Sequence, residues 1–279
     1  MVCITAPVPL CSFQGSGRDA NPPIALPTLA QGPGVVNPEN LCTRMDITLL
    51  AGGFVLSMAV AVIAHALRLL TRNGMMAAVA VGTLVFGFGG WRHAGLLVVF
   101  FVTSSALTRW KAARKFNPDQ PGGRTGLQVL ANGAVAATLS VWGAIWPAPW
   151  VPAAFAGAIA ASTGDTWATE IGLLSKTPPR LITARLLRTR AEVPPGTSGG
   201  VTWLGTIGAC IGAAVIAGSS AAWLHTAFGR VWLAGFIGMT VDSILGATVE
   251  GRWRWMTNDT VNLIATATGA LLAAVAGRL

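Results

Sequence analysis

Eight runs of apolar residues, each near the length an α-helix needs to cross a bilayer, follow one another between residues 47 and 277. A crossing takes about twenty helical residues, because the hydrocarbon core offers no partner to an unpaired peptide group. By that length the spans fall at 47–67, 74–90, 94–109, 126–146, 150–170, 201–221, 229–249 and 259–277. The second and third are short and meet at FGFGGWRHAG (86–95), so the pair reads as two spans joined by a very tight turn or as a re-entrant hairpin. The fold class is therefore all-α, a polytopic membrane bundle of about eight transmembrane helices.

A chain that is 53% hydrophobic and 10% charged, with a mean hydropathy of +0.61, fits that class and no soluble one. Tyrosine is absent, and Trp91, Trp110, Trp142, Trp146, Trp150, Trp203, Trp253 and Trp255 sit at the ends of apolar runs, where interfacial anchors belong. The net charge of +9 would suggest nucleic acid in a soluble domain, but here the basic residues lie in loops between spans. They read as topology and phosphate signals, and no nucleic-acid partner is expected. Cys3, Cys11, Cys42 and Cys210 have no metal-ligand spacing.

Residues 1–44, rich in Pro, Gly and Asn, form a first segment read as a disordered tail or an overextended start of the reading frame. Residues 45–279 form the membrane domain. The tail has neither the basic start nor the uninterrupted apolar stretch of a secretory or lipoprotein signal.

With eight spans, fourteen of the nineteen Lys and Arg residues fall in odd-numbered loops, and only Arg92 and Arg230 in even ones. The positive-inside rule then puts the odd loops in the cytoplasm and both termini outside. Five polar stretches lie at the span ends on that same cytoplasmic side: RTGLQVLANG (124–133), GDTWATE (164–170), PPGTSGG (194–200), VDSILGATVEGR (241–252) and NDTVN (258–262). An ionisable side chain beside hydrocarbon costs about 2.5–3.5 kcal/mol even on conservative scales, so the carboxylates there mark a site.

Within GDTWATE, Asp165 and Glu170 stand about 140° apart on a regular helix. Each then needs its partner from another helix, and Asp242, Glu250 and Asp259 are the remaining carboxylates near these ends. Oxygen ligands of this kind suit Mg²⁺, which takes one or two carboxylates together with substrate phosphates. Pairing with Lys176 or Arg180 to stabilise the bundle is the plainer alternative. In PPGTSGG, Gly196, Thr197, Ser198 and Gly199 precede an apolar helix and can offer N–H and hydroxyl groups to a phosphate, although the segment is not a P-loop. A proline–glycine helix start would look the same. Upstream, the basic KTPPRLITARLLRTR (176–190), beginning with Lys176, adds guanidinium and ammonium groups suited to phosphate. Asn258, Asp259 and Asn262 share a face at the start of the last span, and Asn132 sits one turn from Gln128; ligand contact and interhelical hydrogen bonding both remain open for these amides. Asp119 and Glu192, both in loops, are expected to tolerate substitution. A weak echo pairs GDTWATEIG with VDSILGATVEG.

On QVLANG, GDTWATEIG, VPPGTSGGVTWLGT, DSILGAT and NDTVN, in that order, the chain resembles the domain-of-unknown-function 92, or transmembrane protein 19-like, family over roughly 48–277. The resemblance implies an integral membrane protein of about eight helices. Its plant relatives include phytyl-phosphate kinases, which convert an isoprenoid monophosphate to the diphosphate using a nucleoside triphosphate such as CTP. Asp165, Glu170 and Asp242 match the family's acidic positions, and we read them as catalytic and Mg²⁺-binding. Nucleotide or phosphate contact would fall to Lys176, Gly196, Thr197, Ser198, Gly199, Asn132, Asn258, Asp259 and Asn262. The expected partners are the bilayer, an isoprenoid phosphate and the nucleotide. Two other classes compete: a cation-coupled transporter or channel using the same carboxylates, and a membrane protein with no enzymatic activity.

Overall fold

The apolar runs fold as helices that begin and end close to the expected spans. The computed structural model describes residues 47–110, 123–186 and 192–276, all of them within the compact unit Pro38–Leu279. The tail at 1–44 lies outside the described residues, as do Lys111, Arg114, Lys115, Asp119, Arg188, Arg190 and the side chain of Arg185. The elements are α1 (Ile47–Ala66), α2 (Arg72–Arg109), α3 (Gly126–Ile145), α4 (Val151–Gly172), β1 (Arg180–Leu181), α5 (Ile182–Leu186), β2 (Gly200–Val201), α6 (Trp203–Leu224), α7 (Phe228–Thr248) and α8 (Asn258–Ala276).

The uncertain second and third spans are one helical run folded back on itself. Gly90, at φ 70° and ψ −173°, breaks α2 into two arms. That conformation lies in the region open to glycine and strained for other residues. Val81 and Val85 of the first arm share a core cluster with Leu96 and Phe100 of the second, which only a hairpin allows. Each arm is about 27 Å long at about 1.5 Å per residue, close to the roughly 30 Å hydrocarbon core. Six of the described helices are long and apolar enough to cross a membrane. Counting the hairpin as two arms makes seven, and α4 makes the eighth.

α4 lies at the centre. From Ala154 to Gly164 its residues are buried on every side, and they are mostly Ala, Gly, Ser and Thr. Lipid supplies little hydrophobic drive between helices, so close backbone approach is what binds them, and small residues permit it. A Cβ on Gly157 would meet the Gly269 carbonyl oxygen of α8 at 2.4 Å, and one on Gly235 of α7 would meet the Ala160 Cβ at 2.5 Å. On the α6 side, a Cβ on Gly208 would meet the Trp167 carbonyl oxygen at 2.9 Å.

The two ends of the bundle differ. At one end Phe155, Ile159, Ile216 and Val231 pack without exposure, beside a tilted Trp91–Trp223 pair and the edge contact of His93 on Phe155. The other end gathers the starts of α2, α3, α6 and α8 and the ends of α1, α4 and α7. Thr71, Thr125 and Thr202 cap three of the helices that start there, Thr125 in a capping box with Gln128. A two-residue antiparallel ladder, Arg180 with Val201 and Leu181 with Gly200, closes the long loop between α4 and α6. Nothing in the apolar periodicity announced that clip.

Replacing Gly157 by Leu is expected to destabilise the bundle by about 1–3 kcal/mol, as overpacking does. Gly218→Ala, where a Cβ meets nothing within 4 Å, should be neutral. Thermal unfolding of the two variants in detergent checks the contrast.

Candidate functional site

The polar stretches converge on one cavity of about 200 Å³ at the end where the caps gather. α4 supplies both of its carboxylates to different neighbours, as their 140° offset requires. Asp165 faces α7 and α8. With the Asn262 amide oriented toward the acids, its Nδ2 donates to Asp242 Oδ2 at 2.8 Å and to Asp165 Oδ2 at 3.3 Å. The two carboxyl groups also lie within hydrogen-bond reach of each other. Two residues beyond α7, Glu250 is close enough to both to act on them electrostatically. Like charges held this close need a cation or a shared proton between them. The two Asp residues are also the leading residues of the GDTWATEIG and VDSILGATVEG echo, so the echo marks two helices that meet.

Glu170 turns the other way and is almost fully buried. Thr108, at the end of α2, donates to its Oε1 at 2.6 Å, and Arg124 is its electrostatic partner. Arg124 is fixed by its backbone: its N–H donates to the Leu69 carbonyl at 2.9 Å, and its own carbonyl accepts from the Thr71 N–H at 3.1 Å. The residue is 9% exposed, and its guanidinium lies over the Phe100 ring, 5.6 Å from the centroid. Burial pushes its pKa below the ordinary guanidinium value, and the Glu170 charge opposes that. Among the described residues its Nη2 has no hydrogen-bond partner.

The PPGTSGG loop forms the outer wall. Gly196 and Gly199 adopt φ 85° and 73°. A Cβ on Gly199 would come within 2.3 Å of the Ala247 nitrogen, so the loop rests directly on the end of α7. Ser198 Oγ donates to Glu250 Oε1 at 2.7 Å, joining loop to helix. The Thr197 and Gly200 N–H groups are used within the loop's own turns. That leaves those of Gly196, Ser198 and Gly199 as its backbone donors for an anion, so two of the three glycine N–H groups stay available.

Asp165, Glu170, Asp242, Asn132, Gly196, Thr197, Ser198, Gly199, Asn258 and Asn262 all line the cavity. Lys176 is exposed and does not, nor does Asp259, which is half-buried beside it. Arg180 pairs with Glu192 at 3.2 Å on the surface, not with the buried acids. The Gln128 side chain accepts from the Thr125 N–H in the capping box, while Asn132 donates to the Gln128 carbonyl and its own carbonyl accepts from Ser162. These bonds hold the two amides against their own helix beside the cavity, while the Ser162 bond to the Asn132 backbone ties α4 to α3. Asp165, Glu170 and Asp242 do not form one ligand set, and among the described residues no three His, Cys, Asp or Glu side chains group closely enough to hold a metal ion. The Asp165–Asp242 pair, with Glu250 near, fits instead an ion that arrives bound to phosphate oxygens, the usual habit of Mg²⁺. Arg124 and Thr108 were not singled out by sequence, and Glu250 was named there only as one of three carboxylates able to partner Asp165 or Glu170. Arg124 and Glu250 are charged residues beside spans, but nothing local marks either as turned inward.

The profile of the family described as Integral membrane protein DUF92 matches residues 55–270. The chain belongs to that family. Uncharacterized membrane protein MJ0933 of Methanocaldococcus jannaschii is similar to this DUF92 chain at 31% identity, over 74% of the chain and 84% of the relative. Uncharacterized membrane protein sll0875 of Synechocystis is also 31% identical, over 74% and 82%. Protein PGR of Arabidopsis thaliana is 33% identical over 70% and 77%. No solved structure matches. The DUF92 chain is thus a multi-pass integral membrane protein in which, among the described residues, the buried charged side chains Arg124 and Glu170 lie at one end.

Gly199→Ala combines a strained φ with a steric clash, so the loop at 194–202 is expected to lift from α7. Amide hydrogen exchange should rise there and stay unchanged in α4 and α8. Glu192→Gln loses only an exposed pair and should shift stability by no more than about 0.5 kcal/mol in thermal unfolding.

Proposed function

We propose that this DUF92 protein is a membrane-embedded phosphotransferase that moves the γ-phosphoryl group of a Mg²⁺-bound nucleoside triphosphate, CTP in the first instance, onto an isoprenyl monophosphate. One observation carries the reading: two carboxylates, Asp165 and Asp242, are held side by side next to a glycine-rich loop and a buried guanidinium, inside an apolar bundle. Acidic oxygens for a hard cation, backbone N–H groups and an arginine are the parts that phosphoryl transfer uses, since its catalysis is mostly positioning and charge neutralisation. The resemblance of the motifs to those of plant phytyl-phosphate kinases supports the same acceptor class.

In this reading Asp165 and Asp242 would hold the nucleotide's metal ion, with the Asn262 amide bonded to both acids. When bound, that ion would neutralise charge on the transferring phosphoryl oxygens. Ser198 and the N–H groups of Gly196 and Gly199 receive nucleotide phosphate, and Asn132 and Asn258 line its approach. An oxygen of the acceptor monophosphate forms the new bond to the γ-phosphorus as the bond to the β-phosphate oxygen breaks, leaving a prenyl diphosphate and a nucleoside diphosphate. Near neutral pH the attacking oxygen of a phosphate monoester is largely deprotonated, with a second pKa of about 6, so no general base is required. Glu170 serves by holding Arg124.

The polar end faces the cytoplasm in this account, where nucleotides are, which agrees with the basic residues of the odd loops. A transporter would need polar groups along its path, yet the end of the bundle away from Asp165 is closed by Phe155, Ile159, Ile216 and Val231, packed without exposure. That packing favours the enzyme.

Transfer of labelled γ-phosphate from CTP, ATP, GTP or UTP to phytyl monophosphate by purified protein with Mg²⁺ tests the proposal. Asp165→Asn should fall by about 10²-fold or more while Glu192→Gln keeps the wild-type rate. Equal rates in Asp165→Asn and wild type, or no transfer from any donor by folded protein, would refute it.

A further inference from the structure

A second cavity of about 120 Å³ adjoins the first, enclosed by α1, both arms of the α2 hairpin and α3. Its walls are almost wholly apolar. Val81, Phe86, Leu97 and Phe101 form its interior, and Leu56, Val60 and Val98 at its rim remain exposed to the surroundings. Three residues line both cavities: Arg124, Gln128 and Asn132. The polar and apolar spaces therefore meet at a buried guanidinium whose Nη2 has no partner among the described residues. Leaving a charged donor buried and unsatisfied is costly, so an anion at this boundary is the group that would relieve it. An apolar channel that opens sideways toward lipid and ends at such a cation is matched to a single-chain amphiphile with a phosphate head.

We infer that the groove between α1, α2 and α3 is the acceptor-chain subsite. The isoprenoid tail of a lipid phosphomonoester lies in it, and the head phosphate is held by Arg124 at the mouth of the polar cavity. The proposal rests on the phosphotransfer reading for the identity of the acceptor and assigns its position. The Glu170 charge attracts the Arg124 guanidinium, which lies over the Phe100 ring. Because the rim lies in the bilayer, the substrate enters laterally from lipid and the remainder of a long chain extends back into it. The nucleotide enters by the separate, polar opening beside the PPGTSGG loop.

The test is binding, which needs no turnover and so separates this inference from the kinase reading. A phytyl monophosphate carrying a diazirine on the chain near its head is photo-cross-linked to wild-type protein in nanodiscs, and the adduct is mapped by mass spectrometry. Adducts are expected on Leu56–Val60 and Ala94–Phe101. Adducts confined to the outer faces of α6 or α7 would overturn the assignment. Unlabelled phytyl monophosphate should abolish labelling, and phytol or inorganic phosphate at the same concentration should not. Equal competition by phytol would remove Arg124's role, and equal competition by phosphatidic acid would make the occupant an ordinary phospholipid. Val98→Trp, at the lipid-facing rim, should weaken binding of phytyl monophosphate at least about tenfold, with dimethylallyl monophosphate changed less than about twofold, because only the long chain reaches the blocked groove. Arg124→Gln should weaken both by about 30-fold, with partial rescue in Arg124→Lys. Equal losses for long and short chains in Val98→Trp would contradict the groove. Labelling of the groove without phosphate transfer would leave this inference standing and the kinase reading refuted.

Discussion

Asp165 and Asp242 come from different helices and are held together by one amide, that of Asn262, and the architecture around them follows from that contact. Two acids in an apolar bundle repel each other and lack water, so the protein must supply donors at close range. α8 supplies the amide, and α4 and α7 supply the acids. For three helices to bring such short side chains together their backbones must nearly touch, and this is what Gly157, Gly235, Gly238 and Gly269 permit. The small-residue centre of the bundle and the acidic cluster at its end are one design.

A second buried charge arrangement lies on the opposite face of α4. Glu170, Thr108 and Arg124 bind the end of the hairpin and the start of α3 to the same helix. The regular geometry of α4 therefore divides its two carboxylates between two tasks: one joins a pair that can meet a cation, the other sets a cation that can meet an anion. The hairpin at Gly90 is what makes the second task feasible, because it returns Thr108 to the end from which α2 began.

Much of this was legible in the sequence, for particular reasons. Apolar runs report helices directly when the solvent is lipid, so the eight segments fall nearly where their lengths put them. The 140° offset of Asp165 and Glu170 already required two partners, since helix geometry needs no tertiary knowledge. The glycines of FGFGGWRHAG announced a break but not whether two helices or a re-entrant loop flanked it; the length of each helical arm, about 27 Å at about 1.5 Å per residue, is what distinguishes them. Arg124 reads as a topological charge beside a span, and nothing nearby in sequence reveals that a backbone pairing with Leu69 and Thr71 turns it inward. Ser198 and Glu250 are 52 residues apart, and a hydrogen bond over such a separation leaves no periodic trace. Lys176 and Asp259 belong to the right stretches yet stay off the cavity, because composition identifies a polar segment but not which of its side chains point inward.

The central claim is that the paired acids exist to engage a metal–nucleotide complex. Its most direct measurement is equilibrium binding of CTP to the protein in nanodiscs, with and without Mg²⁺, for wild type, Asp242→Asn and Asn262→Leu. The account predicts binding that requires Mg²⁺, is lost in Asp242→Asn and is weakened in Asn262→Leu, where the acids remain but their alignment does not. Nucleotide binding that ignores both Mg²⁺ and Asp242, or no nucleotide binding by folded wild-type protein, would contradict it.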